Sequence, residues 1–214
     1  VKGESIKYKN KTLLEYTIKA ALKSKFVKKV IVSTDSIFTK KISKKMGAEC
    51  PFIRPISYSK PKINLETVQK FSLNQIEKSK IYPDLVVHLE ETFPLRSENI
   101  IDNMILHLLN DGYDSVIAAK KEPGWFWNEV SSKKFVRIDS GDVPREYKEI
   151  NLLGINGLCT VTFPEFIRAG KFLGNNNGLF EIDYNFSTIE IRDQKSFEMC
   201  INIINYSREM KYLR

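Results

Sequence analysis

Two carboxylates and a hydroxyl, those of Glu90, Glu91 and Thr92, follow an apolar segment that predicts a buried strand over 84–89. Ser97 is placed to cap the helix that comes next. In an open α/β sheet, ligands bind at the carboxyl ends of the strands, so these polar side chains are candidates for binding or catalysis. The same residues would also suit an ordinary solvated turn between a strand and a helix.

Composition limits the class of protein. The chain has 214 residues, of which 42% are hydrophobic and 28% charged, as is typical of a globular domain with its own core. We find no apolar run that could span a membrane and no secretory signal, and we expect a cytoplasmic protein. The three cysteines, Cys50, Cys159 and Cys200, are far apart, so we expect them to be reduced and buried. Two histidines allow no zinc site of recognisable spacing.

The net charge of +8 is compatible with nucleic acid, an anionic membrane or phosphorylated small molecules as partners. Most lysines are spread along predicted helix faces, as in 40–45, which is typical of a solvated surface. The sequence contains no recognised nucleic-acid-binding motif. We therefore expect neither nucleic acid nor membrane among the partners.

Hydrophobic periodicity predicts alternating helices and strands up to about residue 119. The first helix begins at Thr12, where Glu15 completes a capping box, and the second is capped by Asp35 or Ser36 with Ile37, Phe38, Ile42 and Met46 inward. Further helices begin at Asn64 and after Ser97, the latter with Ile101, Met104, Ile105 and Leu108 inward. Strands are predicted at 29–33, 48–52, 84–89 and 114–119. Such alternation indicates an α/β fold with a mostly parallel, Rossmann-like sheet.

The pattern changes after Lys120. Aromatic residues crowd 123–127, and 133–138 alternates like the arm of a β-hairpin. This excursion could form a protein interface, a lid or a local minicore. The chain then returns as a buried strand over 152–161, two short strands at 180–182 and 189–191, and a closing helix over 194–206. We interpret residues 1–214 as a single domain with a small β excursion at about 120–150.

Several blocks, in order along most of the chain, resemble the acylneuraminate cytidylyltransferase family. They are Leu13-Leu14-Glu15-Tyr16-Thr17-Ile18, Val30-Ile31-Val32-Ser33-Thr34-Asp35, Met46-Gly47-Ala48-Glu49-Cys50-Pro51-Phe52-Ile53-Arg54-Pro55, Thr92-Phe93-Pro94-Leu95-Arg96 and Ile155-Asn156-Gly157. Each block alone is a weak signal, but the ordered set is fairly specific. The resemblance implies a nucleotide-diphosphosugar-transferase fold, a homodimer formed through the excursion, and a place in the supply of activated sugars for cell-surface polysaccharide.

The reaction that the resemblance implies uses CTP and Mg²⁺: the anomeric hydroxyl of a sialic-acid-like (nonulosonic) sugar acid attacks the α-phosphorus, and pyrophosphate leaves. By the same resemblance, Lys9 is the catalytic residue at the triphosphate. The nucleotide-binding positions are Lys9, Asn10 and Arg54; the sugar-binding positions are Glu90, Thr92 and Asn156; and the metal-binding positions are Glu190 and Asp193. We expect Lys9, Thr92 and Glu190 to meet at one open edge of the sheet.

The chain departs from the family pattern in three places. The first strand and an intact Gly-Ser-Lys loop are missing before Asn10, which suggests a truncated or shortened amino terminus, and the leading lysines could equally be a frayed basic end. Glu90 and Glu91 replace Gln and Pro, so negative charge stands where an acidic sugar would bind. The metal-binding Asp-Ile-Asp appears as Glu190-Ile191-Arg192, and Arg192 cannot ligate Mg²⁺, although Asp193 could substitute by a local shift.

These departures leave alternatives open. The first hypothesis is an active cytidylyltransferase. The second is a catalytically impaired relative that binds nucleotide or sugar, or acts as an assembly partner. The third, weaker, hypothesis is an RNA or membrane-surface binder that acts through its basic charge.

Overall fold

A computed structural model describes residues 7–8, 11–139, 147, 151–183 and 185–212. The helices are α1 (Leu13–Lys23), α2 (Ile37–Lys45), α3 (Leu65–Lys78), α4 (Ile100–Asp111), α5 (Pro164–Arg168) and α6 (Gln194–Tyr212). The strands are β1 (Lys7–Tyr8), β2 (Lys11–Thr12), β3 (Val86–His88), β4 (Ser115–Glu122), β5 (Trp127–Ser131), β6 (Lys134–Arg137), β7 (Asn151–Gly154), β8 (Thr160–Thr162) and β9 (Asn177–Glu181). In the described ranges, no helix is long and apolar enough to cross a membrane.

The central sheet has the strand order β3-β8-β4-β7, with β9 paired in parallel to β4. The predicted α/β class is therefore confirmed. The expectation of mostly parallel pairing needs correction: β3, β4 and β9 run in one direction, but β8 lies antiparallel between β3 and β4, and β7 is antiparallel to β4. The cause is the return of the chain after the excursion, which runs back along β4.

The return segment differs from the predicted continuous strand over 152–161. It pairs with β4 as two short strands, separated by a turn at 156–158 that lies opposite Ala118. The backbone N–H of Ile155 donates to the Ala118 carbonyl at 2.7 Å, and that of Ala118 donates to the Cys159 carbonyl at 3.0 Å. Only the second half is buried, since Leu152 and Leu153 are exposed. The interruption places Asn156 and Gly157 in a turn beyond the end of β3.

Helix α4 covers the sheet and forms the centre of the core. Its four predicted inward residues, Ile101, Met104, Ile105 and Leu108, are all buried, which confirms the helical stripe. They pack in one cluster with side chains of β4 and β8. The predicted Ser97 cap is wrong: Asn99, in the left-handed region at φ 61°, precedes the helix and makes no side-chain cap bond. The core thereby fixes the strand ends from which the 90–97 loop departs.

Local signals at the other helices are partly confirmed. Thr12 and Glu15 form the predicted capping box of α1, and Ser36 caps α2. On α2 the predicted inward residues Ile37 and Phe38 are 67% and 56% exposed, while Ser43 is buried, its hydroxyl bonded to the Thr39 carbonyl. This burial costs little because that carbonyl satisfies the hydroxyl.

Three predicted strands are weaker than expected. The segments 29–33 and 48–52 are extended but are joined only by a parallel bridge between Ile31 and Glu49. The segment 189–191 is not a strand; it follows a short 3₁₀ helix over 185–188.

Candidate active site

Arg96 holds the 90–96 loop against the turn at 156–158. Arg96 is partly buried, and its guanidinium donates five hydrogen bonds. The acceptors are four carbonyl oxygens and one hydroxyl, those of Glu90, Phe93, Gly157, Leu158 and Thr17. Burial lowers the pKa of Arg96 to about 10, so the group remains charged at neutral pH. A planar, five-donor group is suited to joining several carbonyls at once.

Gly157 allows the loop and the turn to approach each other closely. The Glu90 backbone N–H donates to the Gly157 carbonyl at 2.8 Å. A Cβ at position 157 would lie only 2.6 Å from Glu90 Cδ and 2.8 Å from Phe93 Cε2. The Glu90 side chain therefore lies directly over this glycine, and a larger residue at 157 would have to displace the Glu90 carboxylate and the Phe93 ring.

A third segment, residues 189–193, closes the same edge. The backbone N–H of Ile191 donates to the Thr92 carbonyl at 2.8 Å. The Ile191 side chain is buried against Leu13 and Cys200, which fixes the segment between α1 and α6. Glu190 is thus brought beside the 90–96 loop, as predicted for Glu190 and Thr92.

Acidic and nitrogen-bearing side chains lie close together at this edge. His88 Nε2 lies 3.4 Å from Glu90 Oε1, and Arg192 Nε donates to Glu190 Oε2 at 2.7 Å. The hydrogen bond from His88 lowers the pKa of the Glu90 carboxyl against the effect of burial, and the charges of Arg96 and Arg192 lower it further. Glu90 therefore carries a negative charge at neutral pH. The hydrogen bond to Glu190 and the charge of that carboxylate raise the pKa of Arg192.

The predicted sugar-binding residues lie near one another. Asn156 is exposed in its turn, and its carbonyl accepts a hydrogen bond from Thr160 Oγ1 at 3.0 Å. Thr92 Oγ1 is buried and has no hydrogen-bond partner among the described residues. Glu90 lies over Gly157, which follows Asn156 directly.

Arg54 lies at the end of the extended segment 29–34. Its backbone N–H donates to the Thr34 carbonyl at 2.8 Å, and its guanidinium donates to the Ser33 carbonyl at 3.3 Å and to Ser59 Oγ at 3.2 Å. Arg54 Nε is buried without a hydrogen-bond partner in the described ranges. The hydrogen bonds to Ser33 and Ser59 therefore position the guanidinium. Lys9 and Asn10 lie outside the described residues, so their predicted role at the phosphates stays a prediction.

The metal prediction concerns Glu190 and Asp193. Asp193 caps α6: its Oδ1 accepts hydrogen bonds from the Ser196 backbone N–H and hydroxyl, both at 2.8 Å, and these contacts lower its pKa. Among the residues that the structure describes, no group of three acidic, histidine or cysteine side chains could hold a metal ion. Mg²⁺ needs only one or two carboxylates when substrate phosphates supply the other oxygens. Glu190 fits that requirement with its second oxygen, Oε1, while its Oε2 accepts from Arg192.

Sequence reasoning missed the roles of His88, Arg96 and Gly157. In the sequence, Arg96 is marked only as the last residue of Thr92-Phe93-Pro94-Leu95-Arg96. The signal that could have identified Arg96 is its position directly after apolar residues in a turn, where a charged side chain is easily covered and then needs hydrogen-bond partners.

Solved structures of similar shape define the class of fold. One is a CMP:2-keto-3-deoxy-manno-octonic acid synthetase complexed with CTP, 14% identical, with a TM-score of 0.58 over 83% of this chain and 81% of that one. Another is 4-diphosphocytidyl-2C-methyl-D-erythritol synthase from Anaerococcus prevotii, 15% identical, with a TM-score of 0.64 over 94% and 92%. The likeness shows a Rossmann-like fold of the kind found in these two proteins.

The family follows from the sequence match. The protein-family model described as cytidylyltransferase matches residues 6–140, well over half of the chain. The chain therefore belongs to the cytidylyltransferase family. Post-translational flagellin modification protein B of Campylobacter coli is 27% identical over 86% of this chain and 80% of its own length. N-acylneuraminate cytidylyltransferases of Escherichia coli and Danio rerio are 27% and 23% identical over 91% and 82% of this chain. The matched regions span 46% and 41% of these two relatives, less than half of each.

Proposed function

We propose that this protein transfers CMP from CTP to a sialic-acid-like (nonulosonic) sugar acid and releases pyrophosphate. The observation that carries the proposal is the hydrogen bond between Ile191 N and the Thr92 carbonyl, at 2.8 Å. It joins the loop that resembles the family's sugar-binding run to the turn that resembles its metal-binding motif. Membership of the cytidylyltransferase family supports the same reaction.

In this proposal, catalysis rests on positioning the two substrates and on neutralising charge at the phosphates. Lys9 and Asn10 contact the triphosphate, and Arg54 contacts the nucleotide. Thr92, Asn156 and Glu90 contact the sugar. Bound Mg²⁺ would supply positive charge to the phosphates, with Glu190 as its main protein ligand and Asp193 near it.

The proposal is tested by measuring pyrophosphate release from CTP with a panel of sugar acids that includes N-acetylneuraminic acid and 3-deoxy-manno-octulosonic acid. We expect release with at least one acid and none with neutral sugars. We expect EDTA to abolish release and added Mg²⁺ to restore it.

The ion pair between Arg192 and Glu190 favours one competing function, a catalytically impaired relative that binds nucleotide or sugar as an assembly partner. No release with any acid, together with CTP binding that is absent or does not depend on Mg²⁺ in isothermal titration, would replace the proposal with that function.

We propose that the protein is a homodimer joined through the hairpin of β5 and β6. Among the described residues, these two strands pair only with each other. The hairpin and its flanks expose large apolar side chains, those of Trp125, Trp127, Val130, Phe135, Val136 and Ile138. A group of exposed large apolar side chains of this kind is typical of a protein interface.

Light scattering tests this dimer. We expect the unmodified protein to have twice the mass of one chain, and Phe135→Glu to shift it to a single chain. Phe38→Glu on α2 is the matched control, because Phe38 and Phe135 are 56% and 58% exposed. A monomeric unmodified protein, or equal effects of the two variants, would contradict the proposal.

The compartment is also a proposal. Cys50, Cys159 and Cys200 are all free and buried, and burial raises the pKa of each thiol. Free thiols are usual in a reducing compartment, and we propose the cytoplasm.

A further inference from the structure

Arg192 is held at the edge of the candidate site by its neighbours on both sides. The preceding residue, Ile191, is buried and bonded to the Thr92 carbonyl. The backbone N–H of Arg192 itself donates to Ser196 Oγ, at 3.0 Å, at the start of α6. The backbone that carries Arg192 is therefore fixed, although its side chain is 77% exposed.

Only one nitrogen of the Arg192 guanidinium donates a hydrogen bond to a described residue. Its Nε donates to Glu190 Oε2 at 2.7 Å, and this contact orients the group. Neither terminal nitrogen, Nη1 or Nη2, has a hydrogen-bond partner among the described residues. Two parallel donors of this kind match the two oxygens of a carboxylate.

The charges around Arg192 indicate which kind of ligand those two donors would bind. Glu90 and Glu190 are carboxylates at the same edge, and an acidic sugar that approached them alone would be repelled. Arg192 lies close enough to Glu90 for its charge to affect that carboxyl, and it is paired with Glu190. Arg192 thus places a positive charge beside two glutamates that would otherwise repel an anionic acceptor.

We propose that Arg192 binds the carboxylate of the acceptor sugar through Nη1 and Nη2, while its Nε stays bonded to Glu190. This inference rests on the proposed function and adds the residue that selects an acid over a neutral sugar. Arg192 is a substrate-binding residue here, and the chemistry at phosphorus does not pass through it.

Isothermal titration of the whole protein, saturated with a non-hydrolysable CTP analogue, tests the proposal with N-acetylneuraminic acid and its neutral C1 amide. The unmodified protein should prefer the acid. Arg192→Gln should weaken acid binding about 10–100-fold, the usual worth of hydrogen bonds to a charged group, and should remove the preference over the amide. Arg192→Lys, which keeps the charge but not the two parallel donors, should lie between them.

Lys195→Gln is the matched control, since it removes one positive charge from an exposed residue three positions further along. It should leave the preference for the acid unchanged. Affinity for CTP should also stay within about twofold of the unmodified value in Arg192→Gln, because the residue is assigned to the acceptor and not to the phosphates.

The outcomes separate this inference from the proposed function. If Arg192→Gln keeps the preference for the acid, or loses CTP affinity instead, the assignment to the acceptor carboxylate is wrong even where pyrophosphate is released normally. Equal losses in Arg192→Gln and Lys195→Gln would also overturn it, since only net charge would then matter. If the unmodified protein neither binds a sugar acid nor releases pyrophosphate with one, the proposed function fails and this inference fails with it.

Discussion

Replacing Arg96 with alanine is expected to lower the free energy of unfolding by about 3 kcal/mol or more. The side chain is partly buried, and its removal leaves four carbonyl oxygens and the Thr17 hydroxyl without their donor. Each buried acceptor left unsatisfied costs about 1–3 kcal/mol, although these costs do not simply add. The loss should appear in urea denaturation, and as a drop in Tm of about 2–4 °C per kcal/mol for a chain of this size.

Arg168→Ala is the control for removing an arginine as such. Arg168 donates to Glu77 at 2.8 Å in an ion pair near the surface, with the Arg168 side chain 44% exposed and that of Glu77 19% exposed. Such pairs contribute about 0–1 kcal/mol, so this variant should remain close to the unmodified protein. If both variants lost equal stability, the five hydrogen bonds of Arg96 would not be what holds the 90–96 loop.

Arg96→Lys separates charge from geometry. Lysine keeps the positive charge but has a single compact donor group, which cannot reach acceptors on both the loop and the turn. We expect it to recover less than half of the stability that Arg96→Ala loses, with pyrophosphate release reduced because the loop is no longer fixed. Full recovery would show that the buried charge alone is sufficient.

Local patterns were enough to predict the elements that frame the site. The capping box of Thr12 and Glu15 depends on residues three positions apart, and the buried stripe of α4 depends on helical spacing. Both patterns involve residues that are close together in the sequence. The polar residues after β3 were predicted to form a site for a topological reason, since strand ends in such sheets meet ligands.

The features that the sequence did not predict depend on contacts between residues that are far apart in the sequence. Arg96 binds Thr17, Gly157 and Leu158, which are 79, 61 and 62 positions away. The break between β7 and β8 is set by their pairing with β4, and no local signal marks it. On α2, hydrophobicity was right for Ile42 and Met46, which pack against a core cluster, and wrong for Ile37 and Phe38. Ser43 is buried instead because its hydroxyl has a partner within the helix.

The second large effect is expected at Gly157. In Gly157→Ala the new Cβ would meet Glu90 Cδ at 2.6 Å and Phe93 Cε2 at 2.8 Å, both well inside van der Waals contact. Relieving such overlap in a packed region costs about 1–3 kcal/mol. It also displaces Glu90 from the candidate site, and a shift of about 1 Å in a positioned group can lower the rate about 100-fold. Urea denaturation and the kcat/KM for pyrophosphate release would measure the two effects separately.

Gly154→Ala is the matched control in the same return segment. Its added Cβ would lie 3.6 Å from Ile117 Cγ2, which is ordinary contact, so stability and kcat/KM should change little. If Gly157→Ala behaved like Gly154→Ala, the 90–96 loop would be able to move away from the turn without consequence, and the close approach would not be a requirement of the site.

A double mutant identifies which neighbour makes Gly157 necessary. In Gly157→Ala with Glu90→Ala, the contact with the carboxylate is gone and only Phe93 opposes the new methyl group. We expect the two substitutions to be coupled by about 0.5–3 kcal/mol, so that alanine at 157 costs less stability once Glu90 is shortened. The same double mutant should not regain pyrophosphate release, because it lacks the Glu90 carboxylate at the site. Recovered stability without recovered activity would show that glycine is needed at 157 to make room for Glu90, and that the Glu90 carboxylate contacts the acceptor. Strictly additive effects would show that Phe93, and not Glu90, causes the clash.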